Sequence, residues 1–385
     1  MRFAIPIPIL LLVFSATTSF GWTNRAPSDG SLRADSIPYQ VISKGGDAGD
    51  YQAFADACRL KNGDIAAVFY AGYGHVSSPN EAYPKGGRLC MVRSKDEGQT
   101  WSKPVTIYDD PEDNRDPHIS QLNDGTILVS FFSLVFKPGQ ERQGIGPQLI
   151  RSTDNGITWD KTALTIPVNG AWYCSAPVRE LPNGTLVFPV YHQEGKGDAL
   201  KAWGGVLLSK DKGKTWGEVI PIGQEANLPL AAETDVILLK DNTLLAALRA
   251  QKDTPMHYAT SNDMGASWTP VKSFGFLGHS PAFTRLKSGE ILLTYRGFTK
   301  GGDWATAYTA LQVSFDDGKS WQGPYRLDKT TGAYPSTVDL KDGTVLCIYY
   351  EEGKGSAIRA LHFKKPRPAR IPAGTIQPVE TIAWK

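Results

Sequence analysis

Apolar and polar positions alternate along this chain in short paired runs, each pair joined by a turn residue that tolerates positive φ. RLKNGDIAAVFY turns at Gly63, QLNDGTILVSFF at Gly125 and ELPNGTLVFPVY at Gly184; LLKDNTLLAALR turns at Asn242, RLKSGEILLTYR at Gly289 and DLKDGTVLCIYY at Gly343. Period-two patterning around a Gly or Asn turn predicts a β-hairpin, so the chain holds six of them. A second piece follows five of the six: SKDEGQTW ends at Trp101, STDNGITW at Trp159, SKDKGKTW at Trp216, SNDMGASW at Trp268 and SFDDGKSW at Trp321. These tryptophans stand 52 to 58 residues apart. Each Ser-x-Asp-x-Gly-x-Ser/Thr-Trp box has the composition of a tight turn, with an Asp to accept backbone N–H groups and a Gly for the left-handed position. Five copies assign its aspartates to structure, not to chemistry.

A hairpin, a strand into the box and a strand out of it make four strands per unit. Six such units in a row predict a six-bladed β-propeller, an all-β fold of four antiparallel strands per blade in one domain over 22–385. The sixth unit has no box and ends near Ala357–Phe363, so the strand-like segment Pro38–Lys44 is expected to supply its outer strand and close the ring.

In a propeller the first strand of each unit lines the central axis. Nine residues before the turn residue stand Phe54, Asp116, Ser175, Glu233, Ser280 and Tyr334, and two residues further on Asp56, His118, Pro177, Asp235, Ala282 and Ser336. Carboxylates, a His and a Tyr at common levels predict a polar funnel for a small hydroxylated ligand. The stretch AAETDVILLKDNTLLAALR concentrates the effect. Glu233 and Asp235 share a strand face, and Arg249 is expected to converge on them from the far end of the partner strand.

Composition narrows the partner. In 385 residues the net charge is +2, too small to argue for nucleic acid or an anionic membrane. The basic run Lys364–Lys365–Pro366–Arg367 reads as a solvated tail. Met1–Arg2, an apolar run from Ala4 to Phe14 and small residues from Ser15 to Gly21 have the pattern of a secretory signal, so the chain is expected to be exported, its mature part following residue 21. That run is short for a membrane span, and none later is long enough. Cys58, Cys90, Cys174 and Cys347 lie far apart in apolar contexts, which reads as buried free thiols, with one disulfide open to an exported chain. The spacing of His and Asp gives no metal constellation, and no cofactor is called for.

Boxes and register together resemble the sialidase (neuraminidase) superfamily over nearly the whole chain after residue 21. AETDVILLKDNTLLAALR is similar to that family's N-E-x-x-V-x-x-L-x-x-G-x-L-x-x-x-x-R segment, and AYPSTVDLKDGTVLCIYYE to its Y-S-x-L-x-x-L-x-D-G-x-I-x-x-L-Y-E segment. The resemblance implies Tyr334 as nucleophile, Glu233 as its base and Arg249 as one arginine of a triad that grips a sugar carboxylate. It implies a retaining exo-glycosidase that removes a terminal sialic acid or related acidic sugar from a glycan. Three elements depart. The F-R-I-P arginine ahead of the first hairpin is absent from Gln52–Asp56, and Arg59 stands at another phase. The third arginine has no counterpart between Trp304 and Val313, leaving Arg296 nearest and Arg115 and Arg179 as replacements. The catalytic Asp of the loop before the first box is missing; His75–Gly87 offers Glu81, with His75 as the alternative acid/base. Two other functions stay open on the residues alone: a hydrolase or lyase on an acidic polysaccharide that uses Asp116, His118, Asp56 and Asp235, and a non-catalytic glycan-binding propeller.

Overall fold

The computed structural model describes residues 38–368, apart from 138, 196–199, 229, 252 and 354. The expected signal segment therefore lies outside the described residues. Six antiparallel sheets follow one another around a ring. Their inner strands are Tyr51–Arg59, Asp113–Gln121, the interrupted pair Trp172–Tyr173 and Arg179–Glu180, Leu230–Leu238, Gly278–Arg285 and Ala333–Asp339. We number the blades one to six in that order. In each, the second strand is the return arm of the hairpin read from the sequence, from Ile65–Gly72 in blade one to Thr344–Glu351 in blade six. Among the described residues the helical segments are short 3₁₀ turns, and no helix is long and apolar enough to cross a membrane.

Ring closure follows the expected route. Tyr39–Lys44 pairs antiparallel with Ala357–Lys364, so the start of the described chain supplies the outer strand of blade six. The hairpin turns are left-handed as read: φ is +93° at Gly63 and +67° at Asn242, the one turn where an amide side chain replaces the glycine. Burial lies between blades, where Val, Ile, Leu and Phe of adjacent second and third strands interdigitate; the seam between blades six and one, for example, packs Phe69, Val92, Leu346 and Ile348.

All five boxes are turns. Asp96 accepts from the Thr100 amide at 2.9 Å and from the Thr100 and Ser94 hydroxyls at 2.5 and 2.9 Å, while the Trp101 indole donates to the Gly98 carbonyl at 3.1 Å. Asp154, Asp211, Asp263 and Asp316 repeat the amide contact with Thr158, Thr215, Ser267 and Ser320. These hydrogen bonds hold the Asp96, Asp211 and Asp263 carboxyls down at about 2. The four cysteines are free, three of them buried. One expectation fails: the basic run is not simply a solvated tail, because Lys365 reaches Glu290 at 2.9 Å and the Ser288 hydroxyl at 2.5 Å.

Candidate active site

Two tiers of side chains meet on the axis, and the backbone separates them. Five inner strands break their ladder at the same place, between Ala53 and Asp56, Arg115 and His118, Leu230 and Thr234, His279 and Ala282, and Ala333 and Ser336. At four of these bulges the axial residue is left-handed: Phe54 (φ +54°), Asp116 (+50°), Ser280 (+54°) and Tyr334 (+48°). A bulge re-aims the side chain it carries. A non-glycine residue with positive φ costs about 1–3 kcal/mol and is held there by its surroundings. Pro follows Asp116, Ser280 and Tyr334, which suits a position that gives nothing to the ladder.

The upper tier contains the reactive constellation. The Tyr334 hydroxyl donates to Glu233 Oε1 at 2.6 Å, Arg249 donates to the same oxygen, and the Ser280 hydroxyl donates to Glu233 Oε2 at 2.8 Å. The sequence-level expectation that Arg249 folds back onto Glu233 is met. Burial would raise the Glu233 carboxyl, but the Arg249 charge and the Tyr334 and Ser280 hydrogen bonds outweigh it and hold the group below the usual range. The Tyr334 phenol is pushed the other way, by burial first and then by the Glu233 and Asp116 charges. An ionised carboxylate thus faces a neutral phenol, with the proton between them. Asp116 accepts from the Ser175 hydroxyl at 3.0 Å through Oδ2, while its buried Oδ1 has no hydrogen-bond partner among the described residues. Burial raises its carboxyl, the adjacent Arg115 opposes that, and the Glu233 charge adds to it.

Arginines surround this pair from three blades. Arg296 lies 5.9 Å from the centroid of the Tyr334 ring and under Trp304 at 4.7 Å, and is held by the Gly332 carbonyl (2.9 Å) and the Tyr350 hydroxyl (3.2 Å). Trp304 itself is 48 % exposed on the rim. Arg115 lies across Phe54, 5.0 Å from its centroid, bonded to Asp113 at 3.1 Å and to the His75 carbonyl. Arg249, Arg296 and Arg115 therefore face the upper tier. Arg179 does not: it donates to both oxygens of Asp235, at 2.6 and 3.3 Å, and to the Phe283 carbonyl.

The lower tier sits one pleat deeper, roughly 6–7 Å along the strand, and fastens blades to each other. Asp56 accepts the Ile119 amide (2.8 Å), Asp235 the Phe283 amide (2.7 Å) and Ser336 the Ala57 amide (3.2 Å). Each is the amide three residues beyond the axial residue of the next blade. His118 stands 3.4 Å from Asp56. Glu233 and Asp235 thus do not act as one carboxylate pair beside Arg249, because the bulge at Glu233 parts them. The Asp/His set read from the sequence is divided in the same way, with Asp116 alone on the upper tier.

Glu81 is exposed in the loop before the first box. His75, earlier in that loop, is half exposed and packs edge-on against Phe54 at 5.3 Å. Two groups that the sequence reading passed over stand beside it, Tyr51 and Glu352. A third, His279, sits against Phe298 and Trp304, and burial together with Arg249 and Arg296 keeps its ring neutral. Glu352 follows the last hairpin directly, a weak signal; Tyr51 and His279 precede the axial residues of blades one and five and carried no repeat signal. Among the described residues no cluster of His, Cys, Asp and Glu has the makings of a metal site.

Comparison with known proteins places the chain in a family. The chain is 24 % identical over 305 residues to a sialidase of Paraclostridium sordellii, a match that covers 69 % of this chain and 72 % of that one. Among solved structures it resembles a protein of unknown function from Dyadobacter fermentans (TM-score 0.68, 24 % identity, 86 % of this chain and 98 % of that one). It also resembles the NanB sialidase of Streptococcus pneumoniae (TM-score 0.66, 14 % identity, 85 % and 70 %). At these identities the structural likeness speaks for the fold. The family model of the BNR repeat-like domain matches residues 91–347. With six blades, five boxes and a tyrosine–glutamate–arginine cluster at the mouth of its axis, the chain belongs to the BNR repeat-like domain family as a divergent, sialidase-like propeller.

Proposed function

We propose that this protein is a retaining exo-glycosidase that releases a terminal sialic acid or related acidic sugar from glycans. The observation that carries the reading is the 2.6 Å contact between the Tyr334 hydroxyl and a Glu233 carboxylate that Arg249 also holds. A phenol this far from ionising is a poor nucleophile on its own. Glu233 takes its proton as the Tyr334 oxygen attacks the anomeric carbon, so charge develops on the nucleophile only as the glycosidic bond breaks. A neutral phenol also spares an anionic sugar from meeting a second anion. Arg249 and Arg296, with Arg115 from across the mouth, hold the sugar carboxylate, a task for which planar guanidinium groups suit better than lysine. This clamp draws on blades two, four and five, and it favours an acidic sugar other than the commonest sialic acids as substrate.

The test is release of free sugar acid from a panel of α-sialosides and other acidic glycosides by wild type and Tyr334→Phe. Turnover that depends on Tyr334 is the expected result. A Tyr334→Phe protein with undiminished release sinks the nucleophile assignment, and binding of the panel without turnover leaves a lectin-like propeller. The leader-like segment Met1–Gly21 supports export; sequencing the N-terminus of the protein recovered outside the cell checks it.

A further inference from the structure

We infer that His75, oriented through Tyr51 and Glu352, is the general acid/base of this site, an inference that rests on the glycosidase reading above. A retaining mechanism needs a second group, one that gives a proton to the leaving oxygen and later takes one from water. The aspartate that the resemblance implies for this role is absent, and no hydrogen bond among the described residues ties exposed Glu81 to the tyrosine–glutamate pair.

His75 is built in. Its Nδ1 lies 2.8 Å from the Tyr51 hydroxyl and 3.5 Å from Glu352 Oε2, and Tyr51 in turn bonds Glu352 Oε1 at 2.6 Å. Burial, then the neighbouring Tyr350 and Glu352, push the Tyr51 phenol up, so it keeps its proton. Burial would raise Glu352 too, but hydrogen bonds from His75, Tyr51 and Tyr350 bring it down to about 2 and keep it ionised. The single Tyr51 proton goes to Glu352, so the Tyr51 oxygen accepts from Nδ1–H. That fixes the tautomer and leaves Nε2 as the atom that exchanges protons. Position agrees: the rings of His75 and Tyr334 flank Phe54 at 5.3 and 5.1 Å. Arg115, which also faces Phe54, pins the loop by donating to the His75 carbonyl. The charged and titratable groups around the imidazole are thus Tyr51, Glu352 and Arg115, with Tyr350 and Asp113 behind them.

The protons balance. In the first step Tyr334 Oη bonds the anomeric carbon, its proton passes to Glu233, the glycosidic C–O bond breaks, and the leaving oxygen takes the proton from His75 Nε2. In the second, Nε2 takes a proton from water, the water oxygen bonds the anomeric carbon, and the Tyr334 oxygen leaves and recovers its proton from Glu233.

The experiment compares wild type, His75→Ala, Glu352→Gln and Glu81→Gln on an alkyl glycoside of the released sugar and on its 4-nitrophenyl glycoside, whose leaving group needs no proton. His75→Ala is expected to lose roughly 10²–10⁴-fold on the alkyl glycoside and far less on the aryl one, with azide restoring part of the aryl turnover. Glu352→Gln is expected to lower kcat on the alkyl glycoside more than on the aryl one, because Tyr51 loses the acceptor that fixes its proton and with it the orientation of the imidazole. Equal losses of His75→Ala on both substrates, or no loss on either, overturn the inference while a dead Tyr334→Phe leaves the glycosidase reading standing. The leaving-group signature appearing in Glu81→Gln instead hands the role to Glu81 and overturns it as well. A wild type silent on the whole panel removes both readings together.

Discussion

The two tiers on the axis are written in the same residue types and do different work. Above, Glu233 shares one oxygen between a phenol and a guanidinium, and Asp116 keeps one oxygen free of hydrogen-bond partners among the described residues. Below, Asp56 and Asp235 spend their oxygens on the backbone amides of the next blade and on His118 or Arg179. A carboxylate whose acceptor sites are filled by permanent donors is a rivet. One that faces a transferable proton, on a residue held in a strained conformation, is poised for chemistry. Burial does not separate them, for Asp56, Asp116, Glu233 and Asp235 are all nearly inaccessible. What separates them is the bulge, which lifts the upper residue out of the ladder.

The contrast can be broken by mutation. The largest effect is expected on the upper tier: Tyr334→Phe should lower kcat/KM by roughly 10⁴-fold or more, while loss of one hydrogen bond costs no more than about 2 kcal/mol in urea unfolding. Below, the order reverses. Asp235→Ala leaves the buried Phe283 amide without its acceptor and the partly exposed Arg179 without its carboxylate, so unfolding free energy should drop by about 2–4 kcal/mol; a well-folded Asp235→Ala protein with turnover abolished would dissolve the distinction. A finer probe is Ser280→Ala. It removes one of the bonds that hold Glu233 down, so the folded pKa rises. Since the base works only when ionised, the acid limb of kcat/KM should move to higher pH. Smallest is the acid response of the boxes. Their aspartates titrate lower in the folded chain than in the unfolded one, so their stabilisation is complete above about pH 4. It is lost as pH falls towards about 2, and a urea-midpoint series with Asp96→Asn should flatten over that window.

Much of this was legible in the sequence, and for a definite reason. The turn glycines and box tryptophans repeat, so a register counted back from Gly343 reaches Tyr334, and one counted back from Asn242 reaches Glu233. Period-two alternation then misleads by one step. It sets Asp235 beside Glu233 on one face, whereas the bulge between Leu230 and Thr234 gives each its own level and hands Asp235 to Arg179. Tyr51 and Glu352 were illegible because they meet across the seam of the ring, from opposite ends of the chain. A hydrogen bond made once, at the seam alone, leaves no periodic trace.

That seam has a further consequence. Tyr334 belongs to blade six, while Phe54, which packs against it, belongs to blade one together with Tyr51 and His75. Between them the Gln52 amide bonds Ser356, the Ala57 amide bonds Ser336, and Tyr39 comes to lie opposite Leu361. A nascent chain must therefore carry its first strands unsatisfied until the sixth unit has been synthesised, a long wait with an exposed edge. The proposed nucleophile is itself part of that last unit, so the pocket it needs forms only as the ring closes. Turnover would then work as a seal of completion, reporting that the last strand has found the first.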